Sequence, residues 1–262
     1  MIYDCFTFFK EFDLLEIRLH ELKDVVDYFV LVEADRTHSN LPKPYYYEEN
    51  KERFKEFEKK IIHIKVPNAE RWFNPNDEMA IDIATRNVIA TAIPYQPDDL
   101  IIINDSDQII RASVLKDFVY TGPKKFELSY YYYYFNCKHT VAKWYGATIW
   151  KYSDIKKSIA TLRFDAPQPD EIIPNAGWHF SYLGGKEAIR SKLESLAHSP
   201  WINKPEYRTD EHLDKIMNEG LDIILRTSEG PMEFVPIDNT YPQYILDNKD
   251  KFKMHIKEVW YE

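Results

Sequence analysis

Short β-prone runs and segments with helical spacing alternate along the start of the chain. Residues 2–9 and 28–32 are rich in β-branched and aromatic side chains, and Leu15, Leu19 and Leu22 recur between them at helical spacing. Strand, helix and strand within about 33 residues is the size of one βαβ unit. The pattern therefore predicts an α/β fold with a mostly parallel, twisted sheet that is flanked by helices.

The run at residues 100–103 has no polar alternation, which is typical of a strand that is buried on both faces of a parallel sheet. The run ends in four polar residues, Asn104, Asp105, Ser106 and Asp107. Ligands of open α/β sheets bind outside the carboxyl ends of the strands, so loops 9–12 and 33–38 should meet these residues at one edge. Asp105 and Asp107 are close enough to share a divalent cation and its bound phosphates. Alternatively, an Asp in this loop caps the helix that starts near residue 111.

The remaining pattern predicts a charged helix at 48–60, a strand at 61–66, a helix that opens at 75–77, a short helix at 111–118, β-prone strands at 126–136 and 147–151, a strand around His179 and a helix at 186–196. The alternating faces of the two β-prone strands fit an antiparallel extension of the sheet. Residues 163–175, with three prolines, are expected to form a long ordered loop or lid. Residues 241–262 are expected to wrap back onto a single domain of residues 1–262, because no linker divides the chain.

The helix that opens at 75–77 is expected to bury Met79, Ile83 and Val88. Asp82 and Arg86 are four positions apart, which permits an ion pair on the helix. The functional alternative is that Arg86 and Asn87 contact a phosphate or a sugar.

The aromatic segments leave similar alternatives open. The Tyr-rich run at 126–136 suits packing as well as stacking on a sugar. His179 lies between aromatic residues, where a core histidine is common, but the glycines on either side allow a ligand to approach the backbone. Gly184 and Gly185 precede a helix whose N-terminus could face an anion.

Composition narrows the class of protein. The formal net charge of -9 argues against nucleic acid as a partner, because phosphate contacts need clustered Lys and Arg. Cys5 and Cys137 have no metal-binding spacing and are expected to be free, reduced and buried. Charged residues interrupt the first twelve positions and no run approaches about 18 apolar residues, so we expect a soluble, cytoplasmic chain without a signal peptide or membrane span.

Four segments resemble glycosyltransferase family 17, in the same order and over nearly the whole chain. They are EFDLLEIRLHEL at 11–22, PDDLIIINDSD at 97–107, GWHFS at 177–181 and YILDNKDKF at 244–252. The resemblance implies a GT-A-like fold, a UDP-sugar donor (UDP-GlcNAc in the characterised members), Mn²⁺ or Mg²⁺ as cofactor, a glycan acceptor and inversion at the anomeric carbon. It assigns residues 1–120 to the nucleotide sugar and 121–262 to the acceptor side and the C-terminal wrap.

Residue roles follow from the resemblance by position. Asp105 and Asp107 are the Asp-x-Asp pair, expected at the cation and in the reaction, with His179 as a further metal ligand. By the same match, Asp82, Arg86, Asn87 and Asp105 are expected to contact the nucleotide sugar. Apart from the resemblance, Phe9, Glu11, Glu33 and Asp35 are expected to frame the uridine because they follow the first two predicted strands, and Lys186 is a candidate for a contact to the diphosphate or the sugar. Two departures stand out: the family often has Glu where this chain has Gln108, and the membrane anchor and stem of the animal Golgi members are not seen, so their location and N-glycan acceptor are not inherited.

The general base is not fixed by the sequence. Asp165, Asp170, Glu171 and Glu229 are available in loops, and Asp170 or Glu171 in the proline-rich loop is the choice that we carry forward. The alternative to a transferase is a homologue that binds nucleotide sugars but transfers weakly or not at all, as Gln108 suggests. A phosphohydrolase explains less, because the further ligands of a two-metal site are missing from the pattern.

Overall fold

The computed structural model describes residues 1–164, 171–196, 202–227 and 230–258. These residues form a sheet of nine strands in the order β3-β2-β1-β4-β7-β6-β8-β5, with β9 paired to β7. The strands are β1 (Ile2–Thr7), β2 (Tyr28–Ala34), β3 (Ile61–Val66), β4 (Leu100–Asp105), β5 (Gln108–Ile110), β6 (Lys124–Tyr132), β7 (Cys137–Lys151), β8 (Ile172–Ser181) and β9 (Met232–Phe234).

The helices are α1 (Phe12–Leu22), α2 (Tyr46–Asn50), α3 (Ala80–Asn87), α4 (Ala112–Leu115), α5 (Ile159–Leu162), α6 (Gly185–Ser195), α7 (Asp210–Glu219) and α8 (Gln243–Asp247). Short 3₁₀ helices lie at Lys51–Phe57, Ala69–Trp72, Val88–Ala90, Tyr152–Asp154, Pro205–Arg208 and Lys253–His255.

The first half of the sheet is parallel and buried on both faces. β3, β2, β1 and β4 are parallel neighbours, whereas β7 joins β4 in the antiparallel sense and starts the extension. Ile102 of β4 packs with α1 and the 3₁₀ helix after α2, and its neighbours Ile101 and Ile103 pack with α3 on the opposite face. The predicted α/β class, the double-sided burial of this strand and the antiparallel extension are confirmed.

Several boundaries differ from the prediction. The helix expected at 48–60 splits into α2 and a 3₁₀ helix, and β7 begins well before residue 147. The predicted end of the loop at 163–175 is wrong, because β8 already begins at Ile172 and pairs in parallel with β6. Proline is tolerated there since Pro174 lies where the register between the two strands shifts.

The inward face predicted for α3 is wrong in part, because Val88 packs against the core but the most buried positions are others. Met79, Ile83 and Val88 are only partly buried. The buried face carries Ile81, Asp82, Thr85 and Arg86. A charged pair can occupy this face because each partner neutralises the other, as the next section shows, and hydrophobic spacing alone does not reveal such a pair.

A buried polar network joins α1 to the turn after β4. Arg18 of α1 is fully buried, donates to Asp4 Oδ2 at 2.7 Å and stacks on the Phe6 ring. Its other terminal nitrogen donates to the backbone oxygens of Asp105, at 2.6 Å, and of Gln108. Arg18 therefore fixes the backbone that presents the Asp-x-Asp segment.

β8 approaches β5 closely at Gly177. A Cβ at this position would lie 2.1 Å from the backbone oxygen of Ile109, so a side chain cannot be accommodated. This contact sets β5, which directly follows Asp107, against the strand that carries His179.

The C-terminal segment packs on α1. Tyr244 donates to Glu16 at 2.5 Å, and the His255 ring nitrogen Nε2 lies 2.8 Å from Asp13. Cys5 and Cys137 are free and buried, as predicted.

Candidate active site

A cavity of about 980 Å³ lies at the carboxyl ends of β1, β2 and β4. It is lined from these strands by Thr7, Phe8, Phe9, Glu11, Ala34, Arg36, Thr37, His38, Asp105, Ser106 and Asp107. The predicted convergence of these loops with the Asp-x-Asp segment is therefore confirmed. α3, the extension of the sheet and α6 complete the walls.

Asp105 is enclosed by two arginines. Its Oδ1 accepts hydrogen bonds of 2.8 Å from Arg86 and from Arg163, and Arg163 also binds Oδ2. Gln108 donates to the same Oδ2 at 2.6 Å. This carboxylate is therefore saturated by charge-assisted hydrogen bonds, and it orients two guanidinium groups at the cavity wall.

Asp107 divides its two oxygens between different partners. Lys192 of α6 donates to Oδ2 at 2.6 Å, and Ser181 donates to the same oxygen at 3.3 Å. Oδ1 lies 3.2 Å from His179 Nε2. Burial alone would raise the pKa of Asp107, but Lys192 and His179 hold it well below the usual range of a carboxyl group. Asp107 and Lys192 are thus both charged, and the pKa of Lys192 is raised in turn chiefly by Asp107, against the effect of burial.

The predicted ion pair on α3 is present. Arg86 donates to Asp82 Oδ1 at 2.9 Å and reaches Asp105 with the same nitrogen. Despite burial, Arg86 and His38 hold the pKa of Asp82 far below its ordinary value. Arg86 also lines the cavity, so the structural and the functional alternatives for this residue do not exclude each other.

Aromatic rings form a further part of the cavity wall. The His179 ring stacks on Tyr130, with centroids 4.9 Å apart and 4° between the planes, and Trp144 lies 4.5 Å from it. The buried indole nitrogen of Trp144 has no hydrogen-bond partner among the residues that the structure describes. This wall offers flat apolar faces beside polar groups, which is a lining suited to sugars.

The residues expected at the site fall into two groups. Phe9, Glu11, Asp82, Arg86, Asp105, Asp107 and His179 line the cavity. Glu33, Asp35, Asn87, Glu171 and Lys186 do not line it. Asp165, Asp170 and Glu229 lie outside the described residues.

Four of the residues that do not line the cavity make contacts that stabilise the fold instead. Glu33 is fully buried and accepts from the backbone N–H of Tyr47, and Asp35 accepts from the N–H groups that open the 3₁₀ helix at Ala69–Trp72. Asn87 accepts from the backbone N–H of Ala160 at the start of α5, and Lys186 forms ion pairs with α7. Because side chains alternate across a strand, Ala34 and the loop residues that follow take the places expected for Glu33 and Asp35.

Two basic residues of the site were missed by the sequence reasoning. Arg163 and Lys192 hold the Asp-x-Asp carboxylates, but they are 58 and 85 positions away from their partners. The only feature of the sequence that points to Lys192 is that it lies on the helix after Gly185. On this helix we expected Lys186 to contact the ligand. The six positions between the two lysines put them on different faces of α6.

Two of the described side chains are candidate ligands for a divalent cation. Asp107 Oδ1 and His179 Nε2 face each other in the cavity wall and are the donor types that Mn²⁺ accepts. Asp105 is engaged by Arg86 and Arg163, and the described residues contain no group of three His, Cys, Asp or Glu side chains placed to hold a metal. A cation at this site would therefore need oxygen ligands from a substrate and from water, which is common for Mg²⁺-type sites.

None of the helices in the described part of the chain has the length and apolar character needed to cross a membrane.

Comparison with known proteins identifies relatives along the whole chain. The β-1,4-mannosyl-glycoprotein 4-β-N-acetylglucosaminyltransferase of Rattus norvegicus is 25% identical over 96% of this chain and 54% of its own length. The protein of the same name from Homo sapiens is 26% identical over 92% of this chain and 52% of its own length. The chain thus spans about half the length of the curated relatives that it matches.

Similarity to solved structures is weaker. An active-site mutant of LgtC is 10% identical, covers 66% of this chain and 71% of its own, and has a TM-score of 0.37. The glycosyltransferase GlyE of Streptococcus pneumoniae is 11% identical over 66% of this chain and 44% of its own, with a TM-score of 0.33. Neither similarity is used to assign a fold or a function. The family model of glycosyltransferase family 17 matches residues 1–256, and the chain belongs to this family.

Proposed function

We propose that this protein transfers N-acetylglucosamine from UDP-GlcNAc to a hydroxyl group of a carbohydrate, with inversion at the anomeric carbon and with a divalent cation. Family membership and the names of the relatives support transfer of this sugar. A β-mannoside is the first acceptor to test, because the relatives are named for it. We further propose that residues 1–120 supply most contacts to the donor and that residues 121–262 supply the acceptor side.

The observation that carries the proposal is the basic lining of the main cavity at the carboxyl ends of the parallel strands. Seven Lys and Arg residues line it, against five carboxylates, although the chain as a whole has a formal net charge of -9. Such a cavity favours an anion, and a nucleoside diphosphate fits both the charge and the volume.

The chain's own side chains can perform the three tasks of sugar transfer. Lys192, Arg86 and Arg163 are placed to neutralise the diphosphate leaving group as its charge develops. The aromatic wall that contains Tyr130 and Trp144 would hold the sugar. The loop after β2 would frame the uridine.

A divalent cation would be held by Asp107 and His179. When bound, it would supply positive charge to the diphosphate and so assist its departure. Lys192 can stay on the other oxygen of Asp107, because the two oxygens of this carboxylate already have separate partners.

The test is release of UDP from a panel of nucleotide sugars, with Mn²⁺ or EDTA and with or without methyl β-mannoside. We expect UDP-GlcNAc to be the best donor and EDTA to abolish turnover. We expect Asp107→Asn to reduce turnover by about 100-fold or more, as is typical when a group that acts in the transition state is lost. The matched control is Asp117→Asn, which changes an exposed carboxylate that does not line the cavity. Full turnover of the Asp107 variant, with an unchanged melting temperature, would contradict the proposal.

A further inference from the structure

A smaller cavity of about 230 Å³ adjoins the main cavity. Four residues line both of them: Phe9, Glu11, Tyr182 and Lys192. The two volumes therefore meet at a shared wall. A donor and an acceptor must meet in this way if a hydroxyl group is to reach the anomeric carbon.

The smaller cavity has a lining suited to a sugar ring. Phe12, Phe180 and Leu183 supply apolar and aromatic surface. Ser191 and Arg53 supply polar groups at other points of the wall. Aromatic faces pack on the C–H face of a pyranose, whereas polar side chains bind its hydroxyl groups.

Glu11 is the only carboxylate that lines both cavities in the described part of the chain. It directly precedes α1, and its Oε2 accepts hydrogen bonds of 3.3 Å and 3.1 Å from the backbone N–H groups of Phe9 and Lys10. Within the described ranges, Oε1 has neither a hydrogen-bond partner nor an ion pair. One oxygen thus holds the side chain in place, and the other remains open to a substrate.

Three other acids that line the main cavity are held by basic side chains. Asp82 and Asp105 bind Arg86, and Asp107 binds Lys192. A carboxylate in a tight ion pair is a poor proton acceptor, because protonation would leave the partner charge uncompensated.

Asp13 lines the smaller cavity alone and is a poor base for the same reason. The hydrogen bond from His255, together with Arg53, lowers the pKa of Asp13 to about 2.

From this geometry we infer that Glu11 is the general base of the transfer and that the smaller cavity binds the acceptor sugar. The inference rests on the proposed function and deepens it. The sequence predicted that Glu11 contacts the donor, whereas the inference gives it a role in proton transfer. Glu11 thereby replaces Asp170, which lies outside the described residues, and Glu171, which lines neither cavity.

The reaction step is an inverting displacement. The acceptor hydroxyl oxygen forms a bond to the anomeric carbon as its proton passes to Glu11 Oε1. The bond from the anomeric carbon to the β-phosphate oxygen breaks, and its electron pair leaves with UDP. Lys192 lies in the wall shared by both cavities, where it can neutralise this developing charge.

Glu11→Gln tests the base, because it keeps the size of the side chain and removes its basicity. We expect UDP release from UDP-GlcNAc to fall by about 10²–10⁴-fold, the usual contribution of a general base. The Kd for UDP and the melting temperature should stay unchanged. The control is Glu187→Gln, the same substitution at an exposed position of α6. If Glu11→Gln turned over at the wild-type rate, the assignment would be overturned. A loss of UDP affinity that parallels the loss of turnover would also overturn it, because it would show that Glu11 binds the donor.

Ala188→Phe tests the acceptor cavity, because Ala188 lines the smaller cavity alone and a larger side chain would fill it. The probes are methyl β-mannoside and methyl β-N-acetylglucosaminide. We expect the KM for a stimulating glycoside to rise at least about tenfold while the Kd for UDP is unchanged, since only the acceptor loses contacts. An unchanged KM, or the failure of both glycosides to stimulate the wild-type protein, would overturn the assignment of this cavity.

The proposed function can fail separately from this inference. If wild-type protein neither binds UDP nor releases it from any nucleotide sugar, the proposed function and the inference both fail. Suppose instead that wild-type protein releases UDP, that Asp170→Asn removes turnover and that Glu11→Gln does not. Only the inference then fails.

Discussion

Gln108 stands at a position where the resemblance to the family leads us to expect Glu, and its contacts define its role. The side chain is fully buried, it donates to Asp105, and it does not line the cavity. It lies beside Gly146, where an added Cβ would approach the Gln108 amide nitrogen to 2.8 Å. Gln108 therefore supports the Asp105 carboxylate and its arginines, and we do not interpret it as a lost base.

Gln108→Glu distinguishes these two interpretations. A new carboxylate would lie next to Asp105 Oδ2 and repel it, so we expect turnover on UDP-GlcNAc to stay at or below that of the wild type. The control is Gln96→Glu, which makes the same change at an exposed position. A gain of about 100-fold, the size of a restored general base, would show that the wild-type protein lacks its base and would support the weakly active alternative.

At the scale of elements, α1 connects the site to the C-terminal segment. One face carries Arg18, which holds the turn after β4. Another face carries Asp13 and Glu16, which bind His255, Lys251 and Tyr244. The motif at residues 11–22 thus has three roles, because it supplies Glu11 to the cavities, Arg18 to the Asp-x-Asp turn and carboxylates to the tail.

The contact between Asp13 and the tail predicts a dependence on pH. His255 and Arg53 lower the pKa of Asp13 from 3.8 to about 2 in the folded state. The unfolded chain then binds more protons between pH 4 and pH 2, so this contribution to stability is present above pH 4 and is lost as the pH falls through that window. Because the carboxylate is about one-third exposed, we expect Asp13→Asn to lower the free energy of unfolding by only ~1 kcal/mol at pH 7.

Denaturant unfolding at pH 7 and pH 3 checks this prediction. The difference between the wild type and Asp13→Asn should become smaller at pH 3, because protonated Asp13 resembles Asn. Asp250→Asn, at an exposed position of the same segment, should show no difference at either pH. A difference for Asp13→Asn of the same size at both pH values would contradict the assigned cause.

The elements that the sequence predicts well are those with local signals. The β-branched run of β4 and the spacing of Leu15 and Leu19 in α1 depend on neighbouring residues and survive in the structure. The buried face of α3 was not predictable in the same way, because the partners of Arg86 include Asp105 and the backbone oxygen of Asn104, which belong to a distant strand, besides Asp82 on its own helix. Arg163 was missed for the same reason, because a contact between residues 58 positions apart produces no periodic pattern in the sequence.

At the scale of the whole molecule, charge is unevenly distributed. The chain is acidic, yet its main cavity concentrates Arg36, Lys43, Arg86, Arg163, Lys192, Lys204 and Arg226. Because like charges repel, such a concentration costs folding free energy unless carboxylates or a ligand compensate it. Asp82, Asp105 and Asp107 compensate Arg86, Arg163 and Lys192, and Glu70, Glu33 and Asp222 form ion pairs with Arg36, Lys43 and Arg226. The lining still has more basic than acidic side chains, which favours an anionic ligand.

A calorimetric titration with UDP and with uridine tests this central claim most directly. If the basic side chains bind the diphosphate, UDP should bind at least about tenfold more tightly than uridine, since each charge-assisted hydrogen bond contributes about 1.5–3 kcal/mol. The preference should decline as salt is added. Equal affinities for UDP and uridine, or no binding of UDP at all, would show that the cavity does not act on a nucleoside diphosphate.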